Sequence, residues 1–220
     1  MRKLSRVRYG PLIAAMLVTA WAGENRPSST AGSFADHSAR TAANEFDGIR
    51  SAAEQGIAPA QFSLGLCYEN GRGVAKDAGL ALAWFRKSAE QGFDEAQYTL
   101  GCCFNGDEGE SFAKDPREAA KWWAKAAAQG YADAEFCLGL SYAMGQGVDK
   151  DSAEAAKWWR KAAAQGHADA QYFLGLSYST GNGVPKIREQ AVYWLRQAAT
   201  HGNENALAAL KQLSDERNRG

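Results

Sequence analysis

Four consecutive stretches of this chain are written to one pattern. Residues 57–92, 93–130, 131–166 and 167–202 align end to end. Three are 36 residues long; the second has 38, with its two extra residues between Phe104 and Asp115. A fixed period of this length marks a supersecondary unit that cannot bury its apolar face alone, so neighbouring units must stack. Residues 39–56 match the second half of a unit and close on Ala53-Glu54-Gln55-Gly56, while 203–213 match a first half. The array therefore opens and closes on half units.

Each unit, here repeat 1 to repeat 4, reads as two helices. The first carries Ala, Leu-Gly and an aromatic at fixed offsets: Ala60, Leu64, Gly65 and Tyr68 in repeat 1. The counterparts are Ala96, Leu100, Gly101 and Phe104; Ala134, Leu138, Gly139 and Tyr142; and Ala170, Leu174, Gly175 and Tyr178. Steps of four put these residues on one helical stripe. Glycine inside a helix costs roughly 1 kcal/mol against alanine, so its return in every repeat predicts another helix backbone passing close by. A Gly-rich loop follows, as in Asn70-Gly71-Arg72-Gly73-Val74.

The second helix opens on an aspartate in three repeats. Asp115-Pro116-Arg117-Glu118 offers a capping acid, a proline at the first helical position and a glutamate that could reach back. Asp151 with Glu154 repeats the arrangement, and Asp77 supplies the cap alone. Repeat 4 departs, with Ile187 at this place, and its start should be weaker by about 1 kcal/mol. Each second helix ends at a glycine (Gly92, Gly130, Gly166, Gly202) able to take the left-handed turn that satisfies the last carbonyls. Six of the seven tryptophans lie in second helices. Trp84, Trp122, Trp158 and Trp194 are equivalent, each flanked by small residues one and two turns away, and are expected to pack between units.

The pattern A-x-x-x-L-G-x-x-Y, then G-x-G-V, then A-x-x-W-[FWL]-x-x-A-A-x-x-G, resembles the Sel-1-like repeat. That family is related in shape to tetratricopeptide repeats. The resemblance covers 57–202 repeat by repeat and extends through the half units. It implies an all-α fold, a right-handed α-solenoid of helix-turn-helix repeats with a concave groove. It also implies a role as adaptor or scaffold. The expected organisation is a signal peptide (1–22), a disordered linker (23–38), an N-terminal capping helix (39–56), repeats at 57–92, 93–130, 131–166 and 167–202, and a C-terminal capping helix with its tail (203–220). Ile187, and Phe112-Ala113 where the other repeats have Gly-Val, depart from the family pattern.

Ahead of the array, MRKLSRVRYG is basic, PLIAAMLVTAWA is nearly all apolar, and Ala20-Trp21-Ala22 precedes a polar stretch. This is the layout of a secretory signal peptide cleaved after Ala22, and its run of 12 apolar residues falls short of the ~20 that span a bilayer. A periplasmic or secreted protein follows as the expectation. The whole chain has 25 basic and 25 acidic residues, but residues 1–22 hold four bases and no acid. The remainder therefore carries 21 against 25, a net −4. A mildly acidic body argues against a general nucleic-acid binder, which needs a basic face.

Chemistry-bearing groups are few. His37, His167 and His201 are far apart and no Cys-x-x-Cys or His-x-x-x-His spacing occurs, so neither a metal nor a cofactor is expected. Cys67 and Cys103 share a repeat position, Cys102 adjoins Cys103, and Cys137 lies four positions earlier in its repeat. Cys103–Cys137 is the candidate disulfide, with buried thiols as the alternative. Ser111-Phe-Ala-Lys114 fits S-x-x-K, and some cysteine-rich bacterial members of the resembled family have been proposed to bind or hydrolyse penicillins. Neither S-D-N nor K-T-G accompanies it, so no catalytic residue is assigned.

By the same resemblance, the groove is lined from positions flanking the Leu-Gly pair. The first row is Phe62, Tyr98, Phe136 and Tyr172; one turn on come Leu66, Cys102, Leu140 and Leu176, then Glu69, Asn105, Ala143 and Ser179. Two readings stand for the aromatic row: it lines the groove, or it packs inside between units. The leading function is a non-enzymatic exported adaptor for a protein or peptide partner. The alternatives are an envelope regulator or structural component of wall or polysaccharide assembly, and a β-lactam-type hydrolase.

Overall fold

The computed structural model describes residues 34–106 and 114–219, with side chains at 44–106 and 114–215. The chain divides after His37. The first unit is described only in its last four residues, which are helical. The second holds the array.

Ten helices are described, and no strand occurs among the described residues. They are α1 (Phe34–Glu54), α2 (Ala58–Asn70), α3 (Ala78–Glu90), α4 (Asp94–Asn105), α5 (Pro116–Ala128), α6 (Ala132–Met144), α7 (Ser152–Ala164), α8 (Ala168–Thr180), α9 (Arg188–Thr200) and α10 (Ala206–Arg219). Helices α2, α4, α6 and α8 are the first helices of repeats 1 to 4; α3, α5, α7 and α9 are the second. The linker expected over 23–38 ends early: α1 is helical from Phe34, five residues before the predicted half repeat. The expected signal peptide lies outside the described residues. No described helix is long and apolar enough to cross a membrane.

Each second helix packs against its own first helix and against the first helix of the next repeat. The capping aspartates behave as their positions predict. Asp77 accepts from the Leu80 amide at 2.9 Å, Asp115 from Arg117 and Glu118 at 3.0 and 3.2 Å, and Asp151 from Ala153 and Glu154 at 2.8 and 3.0 Å. Ile187 makes no side-chain cap. The expected reach-back of the glutamates is not what they do. Glu118 and Glu154 accept instead from Lys121 and Lys157 one turn further on.

The recurring glycine of the first helices has a more specific cause than an approaching backbone. A Cβ on Gly65 would lie 2.5 Å from the ring of Phe85, on Gly101 2.2 Å from the indole of Trp123, on Gly139 2.4 Å from that of Trp159, and on Gly175 2.7 Å from Leu195. These are the residues directly after the four equivalent tryptophans. The large side chain of the second helix sits in a socket that only glycine leaves open. Phe85, Leu195, Trp123 and Trp159 are accordingly buried, as are Leu64, Leu100, Leu138 and Leu174 on the facing stripe. Tyr68 packs edge-on against Phe46 of α1, with ring centroids 5.9 Å apart. Of the predicted packing tryptophans, only Trp122 is buried. Trp84, Trp158 and Trp194 are half-buried, and Lys87, Lys125 and Lys161 place their ammonium groups 4.0, 3.7 and 3.9 Å from the rings of Trp84, Trp122 and Trp158.

Helix α10 follows the first-helix pattern with Ala206 buried at the place of Ala170. Lys211 stands where Gly175 stands in repeat 4, and Leu207, 67% exposed, where Gln171 stands.

Candidate functional site: the face formed by the first helices

The aromatic row resolves toward the interior. Phe62, Tyr98 and Phe136 are 3%, 7% and 9% exposed. Phe62 lies 5.5 Å from both Phe85 and Phe93, Tyr98 5.2 Å from Tyr131, and Phe136 4.7 Å from the ring of His167 and 5.8 Å from Phe173, all between ring centroids. Each therefore bridges to the start of the next repeat, and three of the four residues assigned to the first groove row are packing residues. Tyr172, with only the capping helix beyond it, stays half-buried.

One turn on, the row keeps its access to solvent. Leu66, Leu140 and Leu176 are half-buried, as are Glu69, Asn105, Ala143 and Ser179. Only Cys102 in this row is buried. Met144, 54% exposed, extends the apolar strip past Leu140. What remains for contact is a narrow aliphatic row with polar neighbours, on the first helices of repeats 1, 3 and 4.

A second periodic feature runs behind it. Gln61, Gln97 and Gln171 occupy one position of the first helices, and Gln91, Gln129, Gln165 and His201 close the second helices. Gln61 donates to the carbonyl of Ala53 at 3.2 Å, Gln97 to Ala89 at 3.0 Å and Gln171 to Ala163 at 3.0 Å. Their oxygens accept from Gln91 at 2.6 Å and Gln129 at 2.9 Å. His201 Nδ1 lies 2.8 Å from the Gln171 oxygen. Because the Gln171 amide is already used on Ala163, Nδ1 is the donor there. This ladder fastens each repeat to the last turn of the one before. It was visible in the sequence as Gln recurring after Ala, but polar residues at fixed offsets read first as surface.

Repeat 3 breaks the ladder. Glu135 replaces glutamine at 3% exposure and accepts from Gln165 at 2.9 Å. A carboxylate cannot donate to the preceding helix as its glutamine counterparts do. Burial pushes its pKa up, against the opposing pull of Gln165 and Lys161.

All four cysteines are thiols. Cys103 lies among Phe62, Phe85, Leu100 and Trp122, within repeat 1–2 packing, whereas Cys137 packs against the cluster of Tyr98, Cys102 and Trp123. Consecutive helical residues point about 100° apart. Cys102 thus shares a cluster with Cys137, while Cys103 lies in the neighbouring one, and the structure has thiols, the expected alternative, rather than a Cys103–Cys137 bond. Among the described residues, no group of three or more His, Cys, Asp or Glu could hold a metal. His167 is spent on structure, accepting from the Ala170 amide at 3.2 Å through Nδ1 and facing Asp133 at 3.2 Å through Nε2. Ser111 lies outside the described residues.

The sequence profile of the Sel1 repeat matches residues 58–93, 94–131, 132–167 and 168–203, one match per helix pair. Among curated proteins, none matches the sequence. Two of the solved structures that share the fold are more than 35% identical to this chain. One is a Sel1 repeat protein from Oxalobacter formigenes: 37% identity, TM-score 0.68, covering 76% of this chain and 66% of that one. The other is c5321, a protective antigen of uropathogenic Escherichia coli with an SLR fold: 38% identity, TM-score 0.70, covering 73% of this chain but 34% of its own. This chain thus spans two thirds of one relative and a third of the other. With four profile matches laid on four helix pairs of one geometry, the chain belongs to the Sel1 repeat family.

Proposed function

We propose that the protein is a non-enzymatic adaptor that holds a protein or peptide partner against its row of first helices. Sel1 repeat proteins are generally scaffolds for protein–protein interaction. The observation that carries the reading here is the aliphatic row Leu66, Leu140 and Leu176, half-buried on the first helices of repeats 1, 3 and 4 and extended by Tyr172 and Met144. Spaced apolar side chains of this kind suit an amphipathic helix or extended peptide laid along the array. Export to the periplasm or the exterior belongs to the same proposal. The basic, apolar and small-residue order of residues 1–22 supports it.

The test is a crosslinking capture from the native envelope fraction, with a C-terminal tag and an intact mass of the recovered bait. The expected result is a bait shortened by residues 1–22 and a partner retained by Lys157→Ala but lost from the double variant Met144→Ser, Leu176→Ser while that variant is still folded by circular dichroism. A partner indifferent to the double variant would place binding elsewhere. Full-length bait in the cytosol would end the export proposal.

A further inference from the structure

Cys102 and Cys137 belong to different repeats, on α4 and α6, yet both pack around Tyr98. Their register follows from the neighbouring junction. Phe136 and Phe173, 5.8 Å apart between centroids, hold in repeats 3 and 4 the positions that Tyr98 and Cys137 hold in repeats 2 and 3. Cys102 lies four residues after Tyr98, so one turn along the same face of α4. The phenol of Tyr98 is driven well above its ordinary pKa by burial, then by the proximity of Cys102 and Cys137. Cys67 and Cys103 sit in two other clusters.

We propose that Cys102 and Cys137 form a disulfide joining repeat 2 to repeat 3 when the chain meets a disulfide oxidant, such as oxidised glutathione or a thiol–disulfide oxidoreductase. Cys137 is half-buried and Cys102 is 4% exposed, which sets the order of events. The Cys137 thiolate attacks one sulfur of the oxidant, forming a mixed disulfide and releasing the first thiol. The Cys102 thiolate then attacks the Cys137 sulfur and expels the second thiol. The protein's two thiol protons end on the two released thiols, so two protein thiols are oxidised and one oxidant disulfide is reduced. The bond closes a loop of chain between two repeats whose junction lacks the glutamine rung found at the others, and so stiffens that junction. The proposal is independent of whether the groove takes a partner.

The full chain, purified reduced, is treated with oxidised glutathione and read by intact mass under non-reducing conditions and by thermal unfolding. The expected product has lost two hydrogens, carries no glutathione and melts higher than the reduced chain. Cys103→Ser and Cys67→Ser should give the same product. In Cys102→Ser, glutathione should stay attached, with its site mapped to the peptide holding Cys137. Should that variant fold poorly, the Cys103→Ser chain carries the test. Its peptide map must link Cys102 to Cys137 with Cys67 still open to alkylation after denaturation. A bridge that persists in Cys102→Ser, or a Cys103→Ser chain that accumulates only the mixed disulfide or resists oxidation, would overturn the assignment.

Discussion

The indole of Trp123 lies against Gly101 so closely that a Cβ there would stand 2.2 Å from Nε1. The indole N–H is buried in this contact and has no hydrogen-bond partner among the described residues; Trp159 repeats both facts over Gly139. The repeat accepts an unsatisfied donor in order to seat its largest side chain against bare backbone.

Replacing that glycine should therefore be costly. Gly101→Ala gains helix propensity but forces Trp123 out of its socket, for a net loss of about 1–3 kcal/mol. Gly48→Ala, in α1 with nothing within 4 Å of the new methyl, should instead gain roughly 0.5–1 kcal/mol. Urea unfolding of the two variants beside the parent chain checks the opposite signs.

Glu135 makes the repeat 2–3 junction sensitive to pH. Its pKa is raised in the folded state by burial, so folding favours the protonated acid. That stabilisation is full below the unfolded value of about 4.3 and is lost as pH rises through the folded value. Glu135→Gln restores the missing donor and should add about 1–2 kcal/mol at pH 7. The advantage should shrink toward pH 4. Urea midpoints measured at both pH values decide it; a gain that does not shrink would show that the carboxylate is not the source.

Ile187 leaves the start of α9 without a side-chain cap, while Asp77, Asp115 and Asp151 each supply one. Ile187→Asp should recover about 1 kcal/mol. Ile187 is 38% exposed, so lost burial offsets part of that gain. Thermal unfolding and amide exchange in the first turn of α9 would register the gain.

The interior placement of the aromatic row gives Phe136→Ala a structural signature. Truncation should cost about 3–5 kcal/mol. A binding defect in this variant should follow the fraction unfolded, whereas the Met144→Ser, Leu176→Ser double variant should lose binding while still folded. Circular dichroism run alongside any binding assay separates the two.

The period, the helix pairs, the aspartate caps and the closing glycines were legible because each is a local rule tied to a residue type. The fate of Phe62, Tyr98 and Phe136 was not. A first helix is touched on several sides, by its own second helix, the preceding second helix and the next first helix. The buried arc is thus wider than the stripe of Ala, Leu and aromatic that periodicity picks out. The glutamine ladder was missed because a buried polar residue and an exposed one look alike until the carbonyls of Ala53, Ala89 and Ala163 come within reach. Cys102 and Cys103 could be told apart only once the register of neighbouring first helices was fixed.

Lys211 occupies the place in α10 where every repeat has its glycine. In the repeats, even one added carbon there would meet the incoming side chain at 2.2 to 2.7 Å; in α10 the place carries an exposed lysine instead of bare backbone. A second helix could not seat a large side chain over Lys211 as Leu195 seats over Gly175 without moving the lysine aside. End-to-end concatenation of such arrays into open filaments is an inherent hazard of head-to-tail stacking. A charged side chain at that place works against such stacking, because its ammonium would have to be desolvated or displaced first.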